Sequence, residues 1–229
     1  MRKILFLITF CTLLNAFAVG QEKRPFDCPE PRRNFFDVGG MGNKVVDINI
    51  KKLKELSSVY YKNDTAVFYN YIRDVGSSQP LVMQTLYMVE EADPNSFKIL
   101  QGPYAVDNKF AYFHGFLVHD ADCESFRPLT PVYSKDANNV FFKNCKIKDA
   151  DLQSFKTINN GGYYDFAYDD NYLYFYSERV EIDKESFTID YIDCKDCLKN
   201  SCRDKKYIYH LAGTSFDGYI IKKRRIDNL

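Results

Sequence analysis

Apolar residues in this chain fall mostly in short triplets rather than long runs. Val67-Phe68-Tyr69, Ala111-Tyr112-Phe113, Val140-Phe141-Phe142, Leu173-Tyr174-Phe175 and Ile208-Tyr209-His210 recur along it. Each is preceded, four residues before its first member, by an acid or its amide: Asn63, Asp107, Asp136, Asp169 and Asp204. A second motif keeps phase with the first. Asp-x-x-Ser-Phe occurs at residues 93–97, 122–126, 151–155 and 183–187, with phenylalanines 29, 29 and 32 residues apart. Weaker copies occupy residues 49–53 and 212–216. Two motifs in fixed phase over several copies are the mark of a tandem repeat, which decides the fold before any local propensity does.

Each motif has a physical reading. An aspartate at the head of a turn accepts backbone N–H groups from the residues that follow, and Asp93, Asp122, Asp151 and Asp183 read as such caps. Pro94 stands at the first position after its cap, where proline is best tolerated. The residue before each cap is apolar (Ala92, Ala121, Ala150, Ile182) and the phenylalanine follows four residues after it, the spacing of a hydrophobic staple. Short alternating segments such as Phe97-Lys98-Ile99-Leu100 follow, and the aromatic doublets are strand formers. His114-Gly115 and Lys143-Asn144 sit where two-residue hairpin turns belong. The predicted class is all-β: tandem antiparallel β-meander repeats of about 29 residues, each of three short strands and one short capped helical turn.

These residues resemble the DKNYY repeat family of exported bacterial proteins, which carry tandem Asp-Lys-Asn-x-Tyr-Tyr and Ala-Asp-Pro-x-Ser-Phe segments. Asp136 followed by Val140-Phe141-Phe142, then Ala150-Asp151 through Ser154-Phe155, carry the likeness. It runs over residues 53–216 and departs at Asn108-Lys109, at Asp170-Asn171, in an insertion at residues 71–87, and in the cysteine-rich connector before Asp204. The resemblance implies a repeat fold and export, and no activity.

Outside the repeat, residues 1–20 read as a signal peptide: Arg2-Lys3, an apolar stretch at residues 4–18, and small residues at Ala16, Ala18 and Gly20 for cleavage. Residues 21–43 are rich in proline, glycine and charge and are expected to be irregular. The repeat domain is expected over residues 44–221. Residues 44–56 are read as the first capped turn and strand rather than an amphipathic helix. The insertion at 71–87 is read as an extra hairpin arm, and 222–229 as a basic C-terminal tail. Formal net charge is zero, so nothing points to nucleic acid, and no second apolar run is long enough to make an integral membrane segment after signal cleavage.

The six cysteines beyond the signal segment, Cys28, Cys123, Cys145, Cys194, Cys197 and Cys202, are expected to form structural disulfides in an oxidising compartment. Cys123 and Cys145 lie in neighbouring units as one potential staple. The cluster Cys194-x-x-Cys197-x4-Cys202 would need His210 as a fourth ligand to hold zinc. Acid pairs Glu91/Asp93, Asp120/Asp122, Asp149/Asp151 and Glu181/Asp183 form a ladder that suggests calcium, but the simpler reading is a cap with a helix-end charge. His114, His119 and His210 match no catalytic spacing and are assigned to turns or surface.

No catalytic residue and no cofactor is expected. Tyr163, Tyr164, Tyr168, Tyr172, Tyr174 and Tyr176 form the candidate binding surface, since exposed tyrosines stack on sugars or anchor protein partners. The expectation is an exported, non-enzymatic interaction module, periplasmic or at the cell surface, with a protein or glycan of the cell envelope as partner. The alternative is an enzyme on envelope polymers, its site built from residues 71–87 and adjacent acids.

Overall fold

The computed structural model describes residues 26–27, 44–74, 82–158, 166–175, 178–190, 201–214 and 218–228. The signal segment, most of 21–43, Tyr163, Tyr164 and Tyr176, and Cys28, Cys194 and Cys197 lie outside them. Two short N-terminal strands, β1 (Phe26–Asp27) and β2 (Lys44–Val45), precede the repeat.

Five antiparallel meanders then follow in order. The first is β3 (Lys54–Glu55), β4 (Tyr60–Lys62), β5 (Val67–Asp74) and β6 (Val82–Met88). The second is β7 (Lys98–Ile99), β8 (Tyr104–Val106), β9 (Ala111–Phe113) and β10 (Phe116–Leu117). The third is β11 (Arg127–Pro128), β12 (Tyr133–Lys135), β13 (Val140–Phe142) and β14 (Cys145–Ile147). The fourth is β15 (Lys156–Ile158), β16 (Phe166–Tyr168), β17 (Tyr172–Phe175) and β18 (Glu178–Glu181). The fifth is β19 (Thr188–Asp190), β20 (Ser201–Arg203), β21 (Tyr207–Thr214) and β22 (Gly218–Arg225). The all-β meander class predicted from the sequence is therefore observed. Each unit has four strands rather than the expected three, because a further strand folds back on the one that carries the aromatic triplet. β1 adds to the edge of the third sheet at β14, and β2 to the first at β6.

Consecutive sheets share their cores, so both faces of each inner sheet are covered. In the triplets of the three inner sheets the middle residue faces the preceding sheet and its neighbours face the next, as the two-residue strand period requires. Tyr112 joins the core between sheets one and two, whereas Ala111 and Phe113 join that between two and three. Phe141 faces sheet two, while Val140 and Phe142 face sheet four. Tyr174 faces sheet three, with Leu173 and Phe175 facing sheet five. Two-sided burial explains why the triplets are apolar throughout instead of alternating with polar residues.

The motif phenylalanines fill the same interfaces. Phe97 lies between Tyr60 and Tyr112, with ring centroids 5.3 and 5.4 Å away. Phe126 lies between Tyr104 and Phe141, and Phe155 between Tyr133 and Tyr174. Phe187 is only half-buried, against Tyr168 and Tyr209.

Some boundaries follow the sequence reading and others differ from it. The capped segments are the single short turns expected: Phe97 and Phe155 N–H each reach the carbonyl of their aspartate (3.0 and 2.9 Å) and the chain leaves at once as a strand. The weak copy at 49–53 does form a short 3-10 turn, Ile50–Lys52, capped by Asn49. Residues 71–74 and 82–85 of the insertion pair with each other in the far part of the β5–β6 ladder. At the other end, Ala212 to Thr214 are strand rather than a sixth cap. The supposed basic tail belongs to β22, because Lys222, Lys223, Arg224 and Arg225 pair with His210 back to Tyr207.

Candidate functional site

The polar groups that recur in every unit converge on one place, the junction between the capped turn and the aromatic hairpin. Asp107, Asp136, Asp169 and Asp204 are 2–6% exposed. One oxygen of each closes an Asx turn. Oδ1 of Asp169 accepts from the backbone N–H of Asn171 and of Tyr172, both at 2.8 Å. The other oxygen reaches back across the sequence: Oδ2 of Asp169 accepts from the N–H of Asp151 at 2.9 Å and from the Tyr174 hydroxyl at 2.6 Å. Asp107 is filled the same way by Lys109, Phe110, Asp93 and Tyr112. Asp204 is filled by Lys206, Tyr207, Asp183 and Tyr209. In the third unit Asn138, Asn139 and Asp122 supply N–H donors to Asp136, and Phe141 stands where the other units have tyrosine, without a hydroxyl.

The serine of the capped turn completes the clasp. Ser125 donates to Asp122 and accepts the N–H of Ala137 at 2.9 Å. Ser96 and Ser186 bridge in the same sense to Asn108 and Lys205, and the Ser154 oxygen accepts the N–H of Asp170. The two motifs keep phase because they hydrogen-bond to each other. Separations from cap to buried aspartate are 14, 14, 18 and 21 residues, and the extra length falls between the first two strands of the later sheets. The first unit has Asn63 in place of the aspartate, accepting from Thr65 and Ala66.

Electrostatics follow this geometry. The Ser96 hydroxyl, then the Asn95 N–H, hold Asp93 below the ordinary carboxylate range. Gln153 N–H and Ser154 do so for Asp151, and Lys205 and Ser186 for Asp183. For Asp204 burial pushes upward, but the Tyr209 hydroxyl and the N–H groups of Lys206 and Tyr207 outweigh it and leave the group lowered. Burial and then the partner carboxylate raise the Tyr112, Tyr174 and Tyr209 phenols.

The acidic ladder therefore serves the backbone. Its inner members, Asp93, Asp122, Asp151 and Asp183, accept from N–H and O–H donors of their own turns, and among the described residues no group of three or more His, Cys, Asp or Glu is placed to hold a metal. The outer members Glu91, Asp120 and Asp149 are exposed and take φ of 58–59°, in the left-handed region. They terminate strands and do not sit at a helix end.

A second cluster lies where the first three sheets meet. Tyr60 donates to the Pro103 carbonyl (2.9 Å) and accepts the Gly115 N–H (2.8 Å). Gly115 has φ +81°, and a Cβ there would lie 2.9 Å from the Tyr69 Cβ, so only glycine lets the second unit approach the first. Tyr69 is hydrogen-bonded to Nδ1 of His114. Burial, then the Lys143 charge, pull His114 down to about 4, and burial lowers Lys143 to about 8. The Lys143 ammonium lies 5.2 Å from the Phe142 ring centre. His119 is exposed, and its N–H bonds to the Asn144 carbonyl.

The predicted tyrosine surface is only partly a surface. Tyr174 is fully buried, so it belongs to the core; the sheet that carries it is covered on both sides. Tyr168 and Tyr172 are half-buried, Tyr172 beneath the Arg179 guanidinium at 4.3 Å. Cys123 carries a free, half-buried thiol, raised first by burial and then by Asp122. It does not staple Cys145: the turn holding Cys123 leads into β11, and Cys145 lies on β14 at the other side of the same sheet. Cys202 is buried in β20.

One groove of about 370 Å³ runs beside the first strands of the last three sheets. Its lining is Leu129, Phe155, Lys156, Thr157, Ile158, Tyr168 and Ile189. Of these only Tyr168 belonged to the binding surface expected from the sequence; the others share the short segments after the capped turns, which the repeat brings into line. Compared with protein-family models, curated proteins and solved structures, the chain matches none.

Proposed function

We propose that the protein is an exported, non-enzymatic binding module of the cell envelope, taking a segment of an envelope protein or glycan along this groove. The observation that carries the reading is the lining itself. It crosses three consecutive units and offers aliphatic side chains, an aromatic face and one lysine, with no carboxylate pair. Such a surface binds by apolar and stacking contact and lacks the acid–base pair that glycoside hydrolysis needs. The repeat's own carboxylates support the same reading, since their oxygens are already occupied by backbone donors. Export follows from residues 1–20, and kinship with the DKNYY repeat proteins from the two motifs. Among the described residues no helix is long and apolar enough to cross a membrane.

The test is titration of the purified protein with envelope glycan fragments and envelope-protein peptides, followed by recovery of the ligand. Saturable binding that Tyr168→Ala weakens at least tenfold, with the ligand recovered intact, is expected. Ligand cleavage would move the assignment to an enzyme, and unchanged binding by Tyr168→Ala would place the site elsewhere.

A further inference from the structure

We propose that Cys28 and Cys145 form a disulfide that fastens the N-terminal strand to the third sheet. β1 is two residues long, which supplies too few hydrogen bonds to hold a strand in water unaided. It nevertheless docks on the edge of β14 in a definite register: Phe26 faces Ile147 and Asp27 faces Lys146. The residue after Asp27 is Cys28, and the residue before Lys146 is Cys145, so the same register carried one residue further along the sequence would pair the two cysteines.

Facing residues of an antiparallel pair have Cα atoms about 4.5–5.5 Å apart. That lies within the roughly 4.4–6.8 Å a disulfide spans. Cys145 is 1% exposed and shares its face of β14 with Ile147, the residue opposite Phe26. A bond there would be shielded from reductant once made. The free thiol of Cys123 leaves it outside the pairing. The chemistry is thiol–disulfide exchange with a disulfide-bearing oxidant such as glutathione disulfide. The two cysteine thiols give up two electrons and two protons to form one S–S bond, and the oxidant's S–S bond breaks to two thiols.

The full chain is refolded with glutathione disulfide, alkylated under denaturant without reductant, digested and analysed by mass spectrometry. One linked peptide pair containing Cys28 and Cys145 is expected, with Cys123 alkylated. Alkylation of both Cys28 and Cys145, or linkage of either to another cysteine, would overturn the proposal. Hydrogen exchange gives a second reading: the Phe26 and Asp27 amides should exchange at least tenfold faster in Cys28→Ser than in wild type. Equal protection in the two proteins would mean that no covalent lock holds the strand.

Discussion

Asp107, Asp136, Asp169 and Asp204 hold a carboxylate out of water, which is tolerable only because fixed donors surround it. Replacing Asp169 by Asn puts an amide N–H₂ against the Asp151 N–H in one orientation or against the Asn171 and Tyr172 N–H groups in the other, so the lost bonds are joined by a donor–donor clash. We expect Asp169→Asn to cost about 3 kcal/mol in urea unfolding. The third unit allows the reverse experiment, because Phe141 stands where the others have a phenol. Phe141→Tyr should stabilise by about 1 kcal/mol if its hydroxyl reaches Asp136. His114 gives a separate pH signature. Its folded-state value, about 4, lies below its ordinary 6.5, so the unfolded chain takes up the proton first. Its contribution is complete above pH 6.5 and is lost as pH falls towards 4. The lowered Asp93, Asp151, Asp183 and Asp204 act later: their stabilisation is complete above about 3.8 and disappears as pH falls through their depressed values. His114→Asn keeps a residue that tolerates the left-handed φ of 51° and should flatten the slope between pH 6.5 and 4 alone. An unchanged slope in pH-dependent urea midpoints would remove His114 from that role.

At the level of elements, the capped turn and the aromatic hairpin were readable because each is defined within five or six residues. Asp151 with Ser154 and Phe155, or Asp136 with Val140, speaks for itself. The clasp between them was not, since Asp151 N–H meets Asp169 Oδ2 across 18 residues and the spacing changes between units. Tyr174 was misplaced for a related reason: alternation assigns a residue to a face, but not whether that face is covered. The basic run at Lys222 to Arg225 looked like a loose end because its charges alternate with nothing apolar, although the long β21–β22 ladder makes it an edge strand. Charges on an edge discourage pairing with other chains. The groove was illegible because its residues come from three units. A prediction belongs here too. Phe155→Ala should cost roughly 3–5 kcal/mol, whereas Asp151→Ala should cost about 1 kcal/mol. Phe187→Ala should fall below Phe155→Ala, because Phe187 is half-buried. Denaturant midpoints rank the three variants, and a Phe155 variant as stable as wild type would place its ring outside the core.

Across the whole molecule, each core joins two consecutive sheets, so stability is set by neighbouring interfaces, as in other linear repeats. The first and fifth sheets are built differently from the three between them, with long hairpins at β5–β6 and β21–β22. What holds the junction in units two to five is the same device, a buried carboxylate filled by donors of the chain itself, and the stability it confers is expected not to depend on a cation. Urea unfolding of wild type and Asp169→Asn, each in calcium and in chelator, tests this most directly. The wild-type midpoint should be the same in both solutions, and the variant's lower by a like amount in each. A wild-type midpoint raised by calcium, with the rise lost in Asp169→Asn, would show instead that the carboxylates bind metal.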